Sequence, residues 1–171
     1  MGKTLGVIGP GAIGRLVIPA AEALGMKTVG YDPFLDAERA ATISPNLRFT
    51  DDLLDLCASC DYITIHVPAT PKTKGMIGAD EIAAMKEGAA FLNFSRDTLV
   101  DNDAMRAGLT SGKVRRYVTD FATPEVMTME GALVLPHLGA STAEAEENCA
   151  EMAVREVMDY LETGKKVHCV N

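Results

Sequence analysis

The sequence predicts an α/β fold of the Rossmann type, a doubly wound parallel sheet in three layers. Three observations carry this expectation. Short apolar runs alternate along the chain with stretches of helical periodicity, an order that short connections resolve as parallel strands with crossover helices. The apolar runs are continuous, the pattern of strands covered on both faces. A glycine-rich turn, residues 9–14, joins the first run to the first helical stretch.

The elements follow in order. Residues 3–8 (KTLGVI) read as a buried strand. From 12 to 24 the period is helical, with Ile13, Leu16, Val17, Ala20 and Leu24 on one face, and Gly25 is a helix stop. Residues 27–31 (KTVGY) form the second strand. Thr50 and Asp51 cap a short helix through Leu56. Residues 61–67 (DYITIHV) are a strand closed by Pro68, followed by a polar loop over 70–78. A short helix over 80–85, ended near Gly88, leads to a strand over 89–94. Asp101 caps a helix through Leu109, ended by Ser111 and Gly112. Strands at 116–119 and 132–135 come next. Ser141, spaced from Glu144 as in a capping box, opens the longest helix, with Cys149, Ala153, Val157 and Leu161 along one face. One domain over 1–164 is expected, with a tail over 165–171.

Composition excludes several classes. Of 171 residues, 47% are apolar and 23% charged, as in globular domains. With no Trp, the core must be aliphatic. A net charge of −8 argues against nucleic acid and anionic membranes as partners. No apolar run reaches the roughly 18 residues of a bilayer span, and the first residues lack a signal-peptide pattern; a cytoplasmic protein is expected. Cys57 and Cys60 form a C-x-x-C, but Cys149 and Cys169 supply no second pair. All four are expected to be ordinary reduced thiols, with no metal site.

The chemistry begins at Gly9-Pro10-Gly11-Ala12-Ile13-Gly14, a G-x-G-x-x-G between strand and helix, with Asp32 ending the second strand. That context makes it a dinucleotide fingerprint. Gly9 permits the tight turn, Gly11 lets a pyrophosphate approach the backbone, and Gly14 lets the helix pack closely. The helix N-terminus offers free N–H groups to the diphosphate, and Arg15 could add a contact. Asp32 would accept from the adenosine ribose hydroxyls and repel a 2′-phosphate, so NAD is expected over NADP.

Nearly the whole chain resembles the coenzyme domain of the D-2-hydroxyacid dehydrogenases. The matching segments, in family order, are GKTLGVIGPGAIGR, YDPF, HVPATPKTKGMI, FLNFSRDTLVD, VTDFATPE, PHLGAST and VHCVN. The resemblance is closest to the members that oxidise 3-phospho-D-glycerate to 3-phosphohydroxypyruvate in serine biosynthesis.

The resemblance implies the following roles. Arg96 holds the substrate carboxylate, for which a forked guanidinium is suited. His137 is the catalytic histidine, a residue type that exchanges protons near neutral pH. Glu125 is the carboxylate that pairs with it, and Asp120 lies near the nicotinamide end. The matching segments also place Val67, Pro68, Thr73, Ser95, Gly139 and Ala140, with His137, at the cofactor. His66 is structural or close to the cofactor, and His168 is solvated. Two positions depart from the family: Val126 stands where Pro usually follows the Glu, and Asp97 stands where Gly usually follows the Arg. The resemblance further implies a substrate domain absent from this chain, a small 2-hydroxy or 2-keto acid as partner, a homodimer, and little turnover by the chain alone. Two alternatives are an NAD(H)-sensing corepressor-like module and a glycerate or formate dehydrogenase relative.

Overall fold

The chain runs β1 (Thr4–Ile8), α1 (Gly14–Ala23), β2 (Lys27–Tyr31), α2 (Ala37–Ile43), β3 (Arg48–Thr50), α3 (Leu53–Ser59), β4 (Tyr62–Ile65), α4 (Ala79–Ala84) and β5 (Ala89–Asn93). It continues through a 3-10 turn (Asp97–Leu99), α5 (Asn102–Ser111), β6 (Val114–Thr119), α6 (Pro124–Met127), β7 (Ala132–Val134) and α7 (Ala143–Thr163). This computed structural model describes residues 2–168; Cys169 and the last residues of the expected tail lie outside the described residues. The chain divides after Pro136 into two compact units.

The first unit is the sheet, with strand order β3-β2-β1-β4-β5-β6-β7. Every pairing is parallel, as the alternation of strand and helix requires. The order reverses between β1 and β4, and at such a switch point the loops leave a crevice beyond the carboxyl ends of the strands.

Strand residues alternate between two cores. Leu5 and Val7 of β1 pack with Ile18 and Ala21 of α1. Ile8, Ile63 and Ile65 join Leu56, Ile82, Phe91 and Met105 in the larger core. Fully burying a large apolar side chain of this kind is worth roughly 1.5–3 kcal/mol. Gly6 sets how closely α3 approaches β1, because a Cβ there would stand 2.7 Å from Leu56 Cδ2 and 2.9 Å from Cys60 Sγ. Cys57 and Cys60 are fully buried in this contact as free thiols. The C-x-x-C is therefore packing material, and among the described residues no cluster could hold a metal.

Several local expectations are corrected. The buried face of α1 is Gly14, Ile18 and Ala21. Ile13, Leu16 and Leu24, expected to pack, are exposed. The close approach at Gly14 fixes the helix rotation and turns those side chains outward. α2 and β3 were not foreseen. Asp36 caps α2 by accepting from the Arg39 amide at 2.8 Å, and β3 is a three-residue edge strand with too short a pattern to read. α3 is capped by Asp52, whose carboxylate accepts from the Leu54 amide, and not by Thr50 or Asp51.

The second unit contains α7. Its cap is Thr142, which accepts from Ala145 N at 3.1 Å, in place of Ser141. Gly164 ends it in the left-handed conformation, φ 70°. The expected stripe of Cys149, Ala153, Val157 and Leu161 is exposed, and no α7 residue is buried. His168 is exposed, with Nδ1 2.7 Å from Glu156 Oε1.

Candidate dinucleotide and substrate site

The pairing register aligns the carboxyl ends of all seven strands. Thr50, Tyr31, Ile8, Ile65, Asn93, Thr119 and Val134 form one row across the sheet. The next residues along each strand emerge at one edge: Gly9 after β1, Asp32 after β2, His66 after β4, Phe94 to Arg96 after β5 and Asp120 after β6. Residues far apart in sequence thus reach the same crevice through strand register alone.

Each fingerprint glycine has a separate cause. Gly9 has φ 78°, a left-handed conformation that favours glycine, and a Cβ there would lie 2.6 Å from Val67 Cγ1. A Cβ on Gly14 would lie 2.6 Å from the Gly9 carbonyl oxygen, so only glycine lets α1 start so close to the strand. Gly11 faces open space, with nothing within 4 Å of a Cβ position. The turn is closed by Gly9 N donating to Tyr31 O at 2.9 Å and Arg15 N donating to Gly11 O at 3.0 Å. Among the described residues the amides of Ala12, Ile13 and Gly14 have no protein acceptor, and α1 has no side-chain cap. Open space over Gly11 beside uncapped amides fits a dinucleotide diphosphate. Arg15 is exposed in the first turn.

Asp32 is half-buried. Its Oδ1 accepts from the Phe34 amide at 2.8 Å, which fixes the carboxylate and leaves Oδ2 without a protein partner among the described residues. Val67 packs over Gly9. Pro68 O accepts from Thr73 Oγ1 at 2.7 Å, and the same hydroxyl accepts from Thr70 N at 2.8 Å. Thr73 thus staples the loop after β4. His66 is half-buried, with Nε2 3.1 Å from Thr64 Oγ1, and burial lowers its pKa from the ordinary 6.5.

The loop after β5 carries Arg96, whose exposed guanidinium donates through Nη1 to Ser95 O at 2.6 Å. Ser95 Oγ donates to Ile65 O at 2.6 Å, tying the loop to β4. Asp97 turns its carboxylate to the Thr98 amide at 2.8 Å and makes no ion pair with Arg96 among the described residues. The departure at 97 therefore leaves the Arg96 charge available.

Glu125 is exposed in α6, with no partner to its carboxylate among the described residues. Thr123 caps this helix, and Arg106 of α5 holds it by donating to Glu125 O at 2.9 Å and Thr128 Oγ1 at 3.1 Å. Val126 is buried, so a β-branched side chain anchors the position where the family usually has Pro. Asp120 is half-buried at the end of β6. His137, Gly139 and Ala140 are exposed in the second unit, where Ser141 N donates to Leu138 O at 3.0 Å.

Sequence reasoning passed over Asn93 and Arg106. Asn93 carried a signal, a polar residue closing an apolar strand, because a fully buried amide must find partners.

Comparison with known proteins places these features among relatives. The family model for the D-isomer specific 2-hydroxyacid dehydrogenase, NAD binding domain, matches residues 1–139. The chain is 39% identical over 166 residues to D-3-phosphoglycerate dehydrogenase of Methanocaldococcus jannaschii, covering 94% of this chain and 31% of that protein. It is 41% identical over 152 residues to the D-3-phosphoglycerate dehydrogenase of Mycobacterium bovis, covering 85% and 28%. Among solved structures, the NAD-complexed D-isomer specific 2-hydroxyacid dehydrogenase from Lactobacillus delbrueckii ssp. bulgaricus aligns with TM-score 0.84 at 25% identity, over 99% of this chain and 56% of that one. A glyoxylate reductase from Paecilomyes thermophila aligns with TM-score 0.87 at 27% identity, over 97% and 51%. The chain spans about a third of the length of the curated relatives it matches.

Proposed function

Because this chain belongs to the D-isomer specific 2-hydroxyacid dehydrogenase family, as its NAD-binding domain, we propose that it serves a longer enzyme that oxidises a D-2-hydroxy acid, with 3-phospho-D-glycerate as substrate. The single observation that supports this most is the Arg96 loop. It emerges from the same sheet edge as the glycine turn, is braced by hydrogen bonds, and presents a guanidinium paired with no carboxylate among the described residues.

In this reading the amides of Ala12, Ile13 and Gly14 hold the diphosphate, with Arg15 beside it, and Asp32 holds the adenosine ribose. Val67, Pro68, Thr73, Ser95, Asp120, Gly139 and Ala140 line the remaining length of the cofactor. Bound NAD supplies a hydride acceptor at the substrate's C2. Arg96 binds the substrate carboxylate in two-point fashion and sets which C2 face points inward. His137 takes the hydroxyl proton on oxidation and returns it on reduction. Glu125 orients and charges that imidazole; its support is the resemblance, together with the clamp that Arg106 places on α6. A homodimer, on the resemblance, and a cytoplasmic location, on the sequence pattern of the first residues, complete the reading. The chain alone binds NAD and turns over little, since its longer relatives contain more than this domain.

The test is a chimera in which this chain replaces the matching segment of the M. jannaschii enzyme. The reading expects NADH formation with 3-phosphoglycerate, lost in Arg96→Gln with NAD affinity retained, and lost in His137→Asn. A folded, NAD-binding chimera that oxidises another 2-hydroxy acid but not 3-phosphoglycerate would overturn the substrate. Full activity in both variants would overturn the chemistry.

A further inference from the structure

Asn93 closes β5, is fully buried, and is not among the residues assigned a role above. Its side-chain amide is divided between two consecutive loop residues. Oδ1 accepts from Ser95 N at 3.1 Å, and Nδ2 donates to Arg96 O at 2.8 Å. From the core side, Nδ2 also lies 3.4 Å from the Tyr117 hydroxyl. The peptide linking Ser95 to Arg96 is thus gripped on both flanks by one planar group that cannot rotate without breaking both bonds. The carbonyl of that same peptide, Ser95 O, is the acceptor of Arg96 Nη1 at 2.6 Å. Asn93 therefore fixes the two peptides that flank the one whose carbonyl receives the guanidinium.

From this geometry we infer that Asn93 is a positioning residue, which sets the direction of the Arg96 guanidinium and so the affinity for the carboxylate of a 2-keto or 2-hydroxy acid. The inference rests on the carboxylate-binding role proposed for Arg96. A side chain as long as arginine loses much rotamer freedom when it binds, and prior orientation removes part of that cost. Asn93 touches neither substrate nor cofactor in this scheme and acts only through the loop. Aspartate is isosteric but lacks the donor to Arg96 O and sets a carboxylate oxygen against that carbonyl. It keeps the acceptor for Ser95 N while the grip on Arg96 is released, and its buried carboxylate costs stability, so the variant is titrated below its melting temperature.

The experiment titrates the NADH-loaded chimera described above with oxamate, which carries the carboxylate and 2-oxo group of a 2-keto acid but no reducible ketone. Binding is followed by the Arg96 side-chain Nε–H resonance and by NADH fluorescence. Asn93→Asp and Asn93→Ala are each expected to weaken oxamate by about tenfold with NADH affinity unchanged, both with a lower melting temperature. Tyr117→Phe, which keeps both clips on the loop, should bind oxamate like the unsubstituted chimera. A merely structural role would instead weaken NADH and oxamate together. Oxamate weakened in Arg96→Gln but not in Asn93→Asp overturns the role of Asn93 alone. If the unsubstituted chimera takes up no oxamate, or Arg96→Gln binds it as tightly as the unsubstituted chimera, the carboxylate role falls and this inference with it.

Discussion

A Cβ placed on Gly14 would stand 2.6 Å from the carbonyl oxygen of Gly9. The first helix therefore begins as close to the end of β1 as a backbone can, and its uncapped amides face the crevice at the switch point. Gly11, between the two, has open space where a side chain would go. Two glycines of one motif thus serve different ends, one packing and the other ligand access.

That difference is measurable. Gly14→Ala must push α1 off the strand, and overpacking of this kind costs about 1–3 kcal/mol, so both stability and NAD binding should fall. Gly11→Ala should melt like wild type yet lose at least about tenfold in NAD affinity, because its methyl occupies the space of the diphosphate. Thermal melts paired with calorimetric NAD titrations of both variants check this. Equal melting losses in the two would contradict it.

Asp32 governs the choice of dinucleotide. With Oδ1 held by the Phe34 amide, the other oxygen is set to receive the ribose hydroxyls. Asp32→Ala should weaken NAD by about tenfold, near 1.4 kcal/mol, and should raise the affinity for NADP relative to NAD. Competitive titration with the two dinucleotides reads the ratio. A variant as selective for NAD as wild type would place the selectivity elsewhere.

The buried thiols are predicted to be inert. Burial is the largest of the causes that push Cys57 and Cys60 up to about 12, so neither is a thiolate near neutral pH. Brief treatment with iodoacetamide, followed by peptide mass mapping, should find Cys149 modified and Cys57 and Cys60 untouched until the chain is denatured. Native modification of Cys57 or Cys60 would show that the α3–β1 contact opens.

His66 should couple stability to pH. Burial holds the native imidazole below its ordinary value of 6.5, so the native state takes up the proton less readily than the unfolded chain. Its contribution is fully present above about pH 6.5 and declines as the pH falls below that value, until the native imidazole itself protonates. Urea denaturation of wild type and His66→Gln between about pH 7 and pH 5 should show the wild type losing more stability on acidification. Parallel curves would remove His66 as the cause.

Much of the site could be read from the sequence because strand register converts it directly into space. Gly9, Asp32, Ser95 and Asp120 each follow the end of an apolar run, and parallel pairing brings those ends into one row. The face of α1 was misread because periodicity alone does not set helix rotation. Ile13 and Leu16 look as apolar as Ile18, but the Gly14 contact decides which of them turns inward. α2 and β3 escaped because a two-turn helix and a three-residue edge strand draw their stability from neighbours more than from local pattern. Asn93 was quoted within a motif but given no role, since its importance lies in partners at Ser95, Arg96 and Tyr117 that only the fold reveals.

The most direct measurement follows the backbone amides of the labelled chain by NMR during titration with NAD. The largest shifts should fall on Gly11, Ala12, Ile13 and Gly14, with Asp32 and Val67 close behind. If those amides stay still while NAD binds, or the shifts centre on the roughly 410 Å³ cavity at the opposite sheet edge lined by Thr4, Lys27 and Arg48, then the diphosphate does not rest on the turn after β1.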